Sequence, residues 1–227
     1  MGRSPRRVKR LKPAAVDDFR TAAGATKDRE IVEASVLDRL GAAHGHFRYE
    51  SGHHGELWLD LDRLFLDPQG LAPLACELGA RLAPREVEAV VGPLAGGAFL
   101  AQMIAIELGV RFAYAAPAPS SPGEALFSVA YRLPATVAPL LEGRRVAIVD
   151  DAVNAGSALR GTFRALIEAG AKPVALAALV VLGDSVKPFL EQEGLHLERL
   201  MSLPNQLWTP SECPLCARGI PLTAGGE

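Results

Sequence analysis

The stretch that most constrains this chain is Val146–Ala158, Val-Ala-Ile-Val-Asp-Asp-Ala-Val-Asn-Ala-Gly-Ser-Ala. Val146 to Val149 are apolar without alternation. A strand covered on both faces need not alternate, so they predict an interior strand of a parallel sheet. Asp150 and Asp151 stand at its carboxyl end, and a turn of small residues follows, Asn154, Ala155, Gly156, Ser157 and Ala158. An amphipathic run from Leu159 to Ala169 then stops at Gly170, a residue suited to a helix C-terminus. This order of elements predicts an anion cradle, because bare N–H groups at a helix start favour negative charge. Ser157 adds a hydroxyl donor. The two aspartates repel a phosphate. They suit sugar hydroxyls, which donate to carboxylates, or a metal ion.

A second unit of the same kind lies upstream. Ala89 to Val91 reads as a short strand, Gly92-Pro93-Leu94-Ala95-Gly96-Gly97 as a loop, and Ala98 to Leu108 as a helix. Two such loops at the carboxyl edge of one sheet are where doubly wound folds bind ligands; alternatively, the glycines only let helix and sheet approach closely. Further strands are predicted at Arg111–Ala115, Phe127–Leu133, Pro173–Leu182 and Leu195–Leu203, with Pro134–Gly143 a connector. Pro68–Leu82 reads as a helix with Leu71, Leu74, Ala75, Leu78 and Leu82 on one face and Cys76 as a small core residue. Another helix is expected from Asp28, where Ile31, Val32, Val36, Leu37 and Leu40 recur before Gly41. Strands alternating with helices predict an α/β fold, a parallel twisted sheet flanked by helices.

The 227 residues are 49% apolar, enough for one α/β domain with embellishments. No apolar run approaches the ~20 residues that span a bilayer. The basic N-terminus lacks the apolar block of a signal peptide, so the expectation is a cytoplasmic protein without a membrane partner. Three cysteines, an odd number, argue against a disulfide framework. Of the 24 basic residues, Arg3, Arg6, Arg7, Lys9, Arg10 and Lys12 fall in the first twelve, which leaves 18 against 26 acids, a net of −8. Such a body is not a general nucleic-acid binder, and only the basic arm could touch one. Residues 1–27 read as a disordered basic tail.

The Val146–Ala158 stretch resembles the signature of type I phosphoribosyltransferases: four hydrophobic residues, two acids and a small-residue loop. The resemblance implies a type I phosphoribosyltransferase fold over residues 28–203. It implies Mg²⁺ and phosphoribosyl pyrophosphate as cofactor and substrate, and a homodimer. Asp150 and Asp151 would hold the ribose hydroxyls, Asn154 to Ala158 the 5′-phosphate, and Gly92 to Gly97 the pyrophosphate. Gly45–Asp60 reads as a hairpin with its turn near Ser51-Gly52. Its Gly-His-Phe followed by Ser-Gly and a His is similar to the hood of orotate phosphoribosyltransferases, placed here at about 44–62, so orotate is the expected acceptor and pyrimidine biosynthesis the expected role. In that branch Arg160 would meet the orotate carboxylate. The resemblance breaks at 115–124, Ala-Ala-Pro-Ala-Pro-Ser-Ser-Pro-Gly-Glu, where the orotate enzymes carry a mobile cationic loop. No lysine lies between Lys27 and Lys172. Arg132 is the nearest replacement cation, Arg111 another, and surface ion pairing explains either equally well. The departure keeps open a transferase for a different base, or a binding regulator without transferase activity.

Two features stand outside this scheme. His53 and His54 are adjacent, and on an extended chain they point to opposite sides, a poor arrangement for one ion. The tail, 204–227, carries Cys213-Pro214-Leu215-Cys216, half of a zinc knuckle that needs histidines or a second subunit to complete it; the default reading is an unmetallated turn with Trp208 and Ile220 packing the tail to the body, and a redox pair is a further alternative.

Overall fold

The computed structural model describes residues 41–118 and 129–223. The expected tail 1–27, the helix from Asp28 and the Pro119–Glu124 part of the divergent loop lie outside the described residues. β1 (Gly41–Arg48) and β2 (His54–Asp60) pair antiparallel as a two-stranded sheet. The turn falls at Tyr49-Glu50-Ser51-Gly52, where Tyr49 N–H donates to the His53 carbonyl at 2.9 Å and Gly52 adopts φ 80°. After the short helix α1 (Asp62–Phe65), α2 spans Pro68–Leu82, with Asp67 capping it by accepting from the Gly70 N–H at 3.0 Å. Then come β3 (Ala89–Pro93), α3 (Gly96–Leu108), β4 (Arg111–Pro117), β5 (Tyr131–Arg132), β6 (Arg145–Val153), α4 (Ser157–Glu168), β7 (Lys172–Leu182), α5 (Lys187–Glu193), β8 (His196–Leu203) and the single turn α6 (Pro214–Ala217). The main sheet has the order β5-β4-β3-β6-β7-β8, parallel except for the β5 edge.

Alternate residues of the central strands feed two cores. Val90, Ala147, Val149, Ala177 and Leu179 meet α2 and α3 through Leu71, Leu78, Leu100 and Ile104. Val91, Ile148, Leu176 and Ala178 meet α4 and α5 through Leu159, Leu166 and Leu190. The unbroken apolar runs of β6 and β7 follow from this burial on both faces.

Several boundaries differ from the sequence reading. β3 runs on through Pro93 and β4 through Pro117, and of the expected strand Phe127–Leu133 only Tyr131–Arg132 is strand, Phe127 lying outside the described residues. β6 does not stop at Val149: its pairing with β7 continues through Asp150↔Ala178 to Val153↔Val181, because the eleven-residue β7 offers ladder partners that far. The acidic pair is thus inside the last turn of pleat rather than beyond it. Gly96 and Gly97 are the first turn of α3, not loop, and α4 begins at Ser157, two residues early. Cys76 is a correction: it is exposed, with its thiol 3.5 Å from a Glu107 carboxylate oxygen. It lies one residue, ~100°, past Ala75 on the helix and so leaves the apolar stripe.

Leu78 has no solvent exposure. Leu78→Ala should cost about 3 kcal/mol and lower the melting temperature by roughly 6–12 °C, readable by calorimetry, with the midpoint of denaturant unfolding falling in step.

Candidate active site

The site gathers at the carboxyl ends of β3 and β6. Asp150 is buried and Asp151 half-buried. Asp150 Oδ1 accepts from the Asp151 N–H at 3.1 Å, and Asp151 Oδ1 from the Ala152 N–H at 2.8 Å. Burial first, and the neighbouring Asp151 second, push the Asp150 carboxyl well above the usual carboxylate range. Burial pushes Asp151 in the same direction. Such a pair favours partners that donate protons or carry positive charge.

The glycines of the upstream unit fit around this pair. A Cβ on Gly96 would lie 2.0 Å from Asp151 Oδ2, and one on Gly97 2.7 Å from Asp150 Oδ1. One on Gly92 would lie 2.1 Å from the Gly97 carbonyl oxygen. Any side chain here would drive α3 off the acids, so β3 and β6 can present one composite edge only with glycine at these positions. The Leu94–Ala95 peptide between them is cis, and Leu94 N–H donates to the Ala115 carbonyl at 2.9 Å.

Beside Asp150 opens a cavity of about 200 Å³, floored by Asn154, Ala155, Gly156, Ser157 and Ala158 and roofed by the hairpin turn. Gly156, at φ 79°, turns the chain into α4, which aims the first turn of that twelve-residue helix at the cavity. The five loop residues and Asp150 are therefore brought together as expected, with Asp151 and the Gly92–Gly97 segment against them on the α3 side.

Two arginines lie apart. Arg160 does not line the cavity. Its guanidinium sits over the Phe189 ring, 4.4 Å from the centroid, because one helical turn beyond the cradle it faces α5 rather than the site. Arg132 is exposed on the edge strand β5, while its neighbour Tyr131 is buried and reaches the site.

Four residues at the site went unnoticed in the sequence. Glu50, at the hairpin turn, accepts from the Tyr131 hydroxyl at 3.0 Å and from the Ser157 hydroxyl at 3.0 Å. Burial, then Glu50, raises the Tyr131 phenol. Asn205, just past β8, donates its amide to Asn154 Oδ1 at 3.0 Å. Tyr49 donates to the Leu57 carbonyl and lines the cavity together with Asn154. No local pattern marks these residues; they meet through sequence separations of up to 107 residues. His53 and His54 diverge as expected: His53 Nδ1 lies 3.1 Å from Ser51 Oγ, while His54 faces His46. Cys213 and Cys216 lie beside that pair, behind the hairpin.

With this geometry in hand, the comparisons agree. A phosphoribosyl transferase domain model matches residues 70–191. The chain is 30% identical to an orotate phosphoribosyltransferase of Thermotoga maritima over 193 residues, 85% of this chain and 96% of that one. It is 28% identical to an orotate phosphoribosyltransferase of Pelotomaculum thermopropionicum over 203 residues, 89% and 98% of the two chains. The solved orotate phosphoribosyltransferase from Aeropyrum pernix aligns with a TM-score of 0.57 at 21% identity, covering 77% of this chain and 93% of that one. The adenine phosphoribosyl transferase from Trypanosoma brucei aligns with a TM-score of 0.59 at 15% identity, covering 75% and 79%; these two likenesses concern the fold. An acidic pair at the end of β6, a cradle opening α4 and a domain match across both make this chain a member of the phosphoribosyltransferase family, a pentosyltransferase similar to the orotate phosphoribosyltransferases.

Proposed function

We propose that this transferase joins the ribose phosphate of phosphoribosyl pyrophosphate to orotate, giving orotidine 5′-monophosphate in pyrimidine biosynthesis. The observation that carries the reading is the buried acidic pair, set between the first turn of α3 and the cradle of α4. Asp150 and Asp151 accept the ribose hydroxyls. Asn154 to Ala158 hold the 5′-phosphate through backbone N–H groups and the Ser157 hydroxyl, with Asn205 fixing the Asn154 amide. Gly92, Pro93, Leu94, Ala95, Gly96 and Gly97 receive the pyrophosphate, their bare backbone allowing close approach.

In the reaction a base nitrogen forms its bond to the anomeric carbon as the bond to pyrophosphate breaks. Positive charge grows on the sugar ring, and Asp150 and Asp151 face it from a dry site where electrostatic stabilisation is strong. Hard carboxylate oxygens crowded together fit Mg²⁺, and these two residues would hold it directly or through the sugar. Bound there, Mg²⁺ supplies charge neutralisation to the departing pyrophosphate. Arg132 is the candidate second cation: exposed on β5, on the face opposite the site-facing Tyr131, it would reach the pyrophosphate around the sheet edge. Most of the rate then comes from positioning and charge rather than covalent catalysis. The chain acts as a cytoplasmic homodimer, a reading supported by the exposed Phe99, Ile106, Phe112 and Tyr114 on α3 and β4; among the described residues no helix is long and apolar enough to cross a membrane.

Pyrophosphate release from phosphoribosyl pyrophosphate and Mg²⁺ should depend on orotate and fall by roughly 10²–10³-fold in Asp151→Asn. Release with another base and none with orotate would overturn the acceptor, and none with any base would overturn the reading. In Arg132→Ala, kcat should fall about tenfold or more with little change in KM, as for a group acting only in the transition state.

Asp150→Asn should raise the melting temperature of the ligand-free protein at neutral pH while abolishing turnover. The sign follows from the raised carboxyl: folding holds its proton, so its stabilising contribution is full below the unfolded pKa and is lost as pH rises through the folded one. Melting curves against pH for both proteins check this. By the same direction, kcat/KM should fall on the acid side at a pH above that of an ordinary carboxylate.

Glu50 places a carboxylate on Ser157, where the 5′-phosphate binds. Glu50→Gln should lower KM for phosphoribosyl pyrophosphate by about fivefold, the worth of one like charge at ~4 Å in bulk water, since Glu50 is exposed. Initial rates at varied substrate concentration measure it.

A further inference from the structure

The hairpin and the tail converge on a cluster that the transfer reaction does not use. His46 on β1, His54 on β2, and Cys213 and Cys216 around α6 bring one donor atom each to a common point, all within 4.8 Å of one another. His46 Nε2 and His54 Nδ1 are 3.0 Å apart. Cys213 Sγ lies 3.5 Å from His46 Nε2; Cys216 Sγ lies 3.7 Å from His46 Nε2 and 3.3 Å from His54 Nδ1. A tetrahedral zinc with ordinary bond lengths would separate two nitrogens by about 3.3 Å and a nitrogen from a sulfur by about 3.6 Å. The four distances given lie within about 0.3 Å of those values.

Its surroundings favour a metal further. His46 Nδ1 lies 2.7 Å from the Ile220 carbonyl. A carbonyl can only accept, so Nδ1 carries the proton and Nε2 turns its lone pair into the cluster, the outer contact typical of a metal-bound imidazole. His46, His54 and Cys213 are buried. The backbone holds both histidines against the tail: His54 and Trp208 exchange N–H to carbonyl bonds of 2.9 and 3.0 Å, and Thr223 N–H donates to the His46 carbonyl at 2.6 Å. Cys213-Pro214-Leu215-Cys216 forms a tight turn, with Ala217 N–H on the Cys213 carbonyl at 3.1 Å and Gly219 N–H on that of Cys216 at 2.9 Å.

We infer that His46, His54, Cys213 and Cys216 bind one Zn²⁺ in a closed four-coordinate site that clamps the C-terminal tail to the hairpin. Two thiolates and two imidazoles suit zinc among the common divalent ions. Four protein ligands leave no open position, so the ion is structural rather than catalytic. It fixes the turn end of the hairpin, where His54 pairs with Arg48 and where Tyr49, Glu50 and Ser51 roof the cavity.

The test is elemental analysis of the full chain purified without chelator or added metal, together with Co²⁺ exchange. About one zinc per chain is expected. Co²⁺ should replace it and give thiolate-to-metal absorption with the visible bands of a tetrahedral ion. Cys216→Ser and His54→Ala should each lose the metal. If those variants fail to fold, the Co²⁺ spectrum of the wild type still decides. Absence of zinc with no Co²⁺ bands, a Cys213–Cys216 disulfide by mass, or zinc fully retained in folded Cys216→Ser would each overturn the assignment.

Discussion

Asp150 and Asp151 are held largely out of water near the end of β6; burial disfavours both charged forms, and Asp151 adds to the effect on Asp150. Much of the architecture follows from keeping them there. The eleven residues of β7 extend the ladder far enough for β6 to carry both acids within its pleat. Gly96 and Gly97 leave room for their oxygens, and Gly92 leaves room for Gly97. The two apolar cores, one on each face, make this edge rigid. The result is a site whose unliganded state is unfavourable and whose discomfort is relieved by hydroxyl donors or a cation. Function and stability pull in opposite directions here, as they commonly do where charge is preorganised for a transition state.

The legible part of the fold was the part whose physics is local. Unbroken apolar runs marked β6 and β7 because both faces of the sheet are covered, and the 3.6-residue stripe of Pro68–Leu82 marked α2 to the residue. The acids and the cradle loop were legible for the same reason, since strand, charge, small residues and helix follow one another within thirteen positions. What was hidden depends on distant chain. Glu50 and Tyr131 meet across 81 residues, and Asn205 reaches Asn154 across 51. The resemblance implied that Arg160 would meet a substrate carboxylate; in the structure its guanidinium lies over the Phe189 ring of α5, 4.4 Å from the centroid. The tail cysteines read as half a site because their partners stand some 160–170 residues earlier. His46 had no metal-binding spacing to His54, since antiparallel pairing rather than sequence interval brings the two together.

The hairpin raises a separate physical question, because a two-stranded sheet is marginal in water on its own. β1 and β2 form their own sheet, apart from the six strands that carry the acids. Their inward residues are few: Phe47 and Leu57 are buried, with Trp58 stacked beside Phe47 at 5.7 Å. Such an element would bend easily, yet its turn must present Tyr49 and Glu50 to the cradle within hydrogen-bond tolerance. The tail supplies the missing stiffness from behind. Trp208 adds a bridge to the free edge of His54, Thr223 to that of His46, and the cysteine turn closes on both imidazoles. A metal there would fix the hairpin at its turn end, where Arg48 pairs with His54, and so hold the turn over the cradle. Under the proposed function the sheet edge faces the sugar, and the hairpin stands over whatever is admitted beside it.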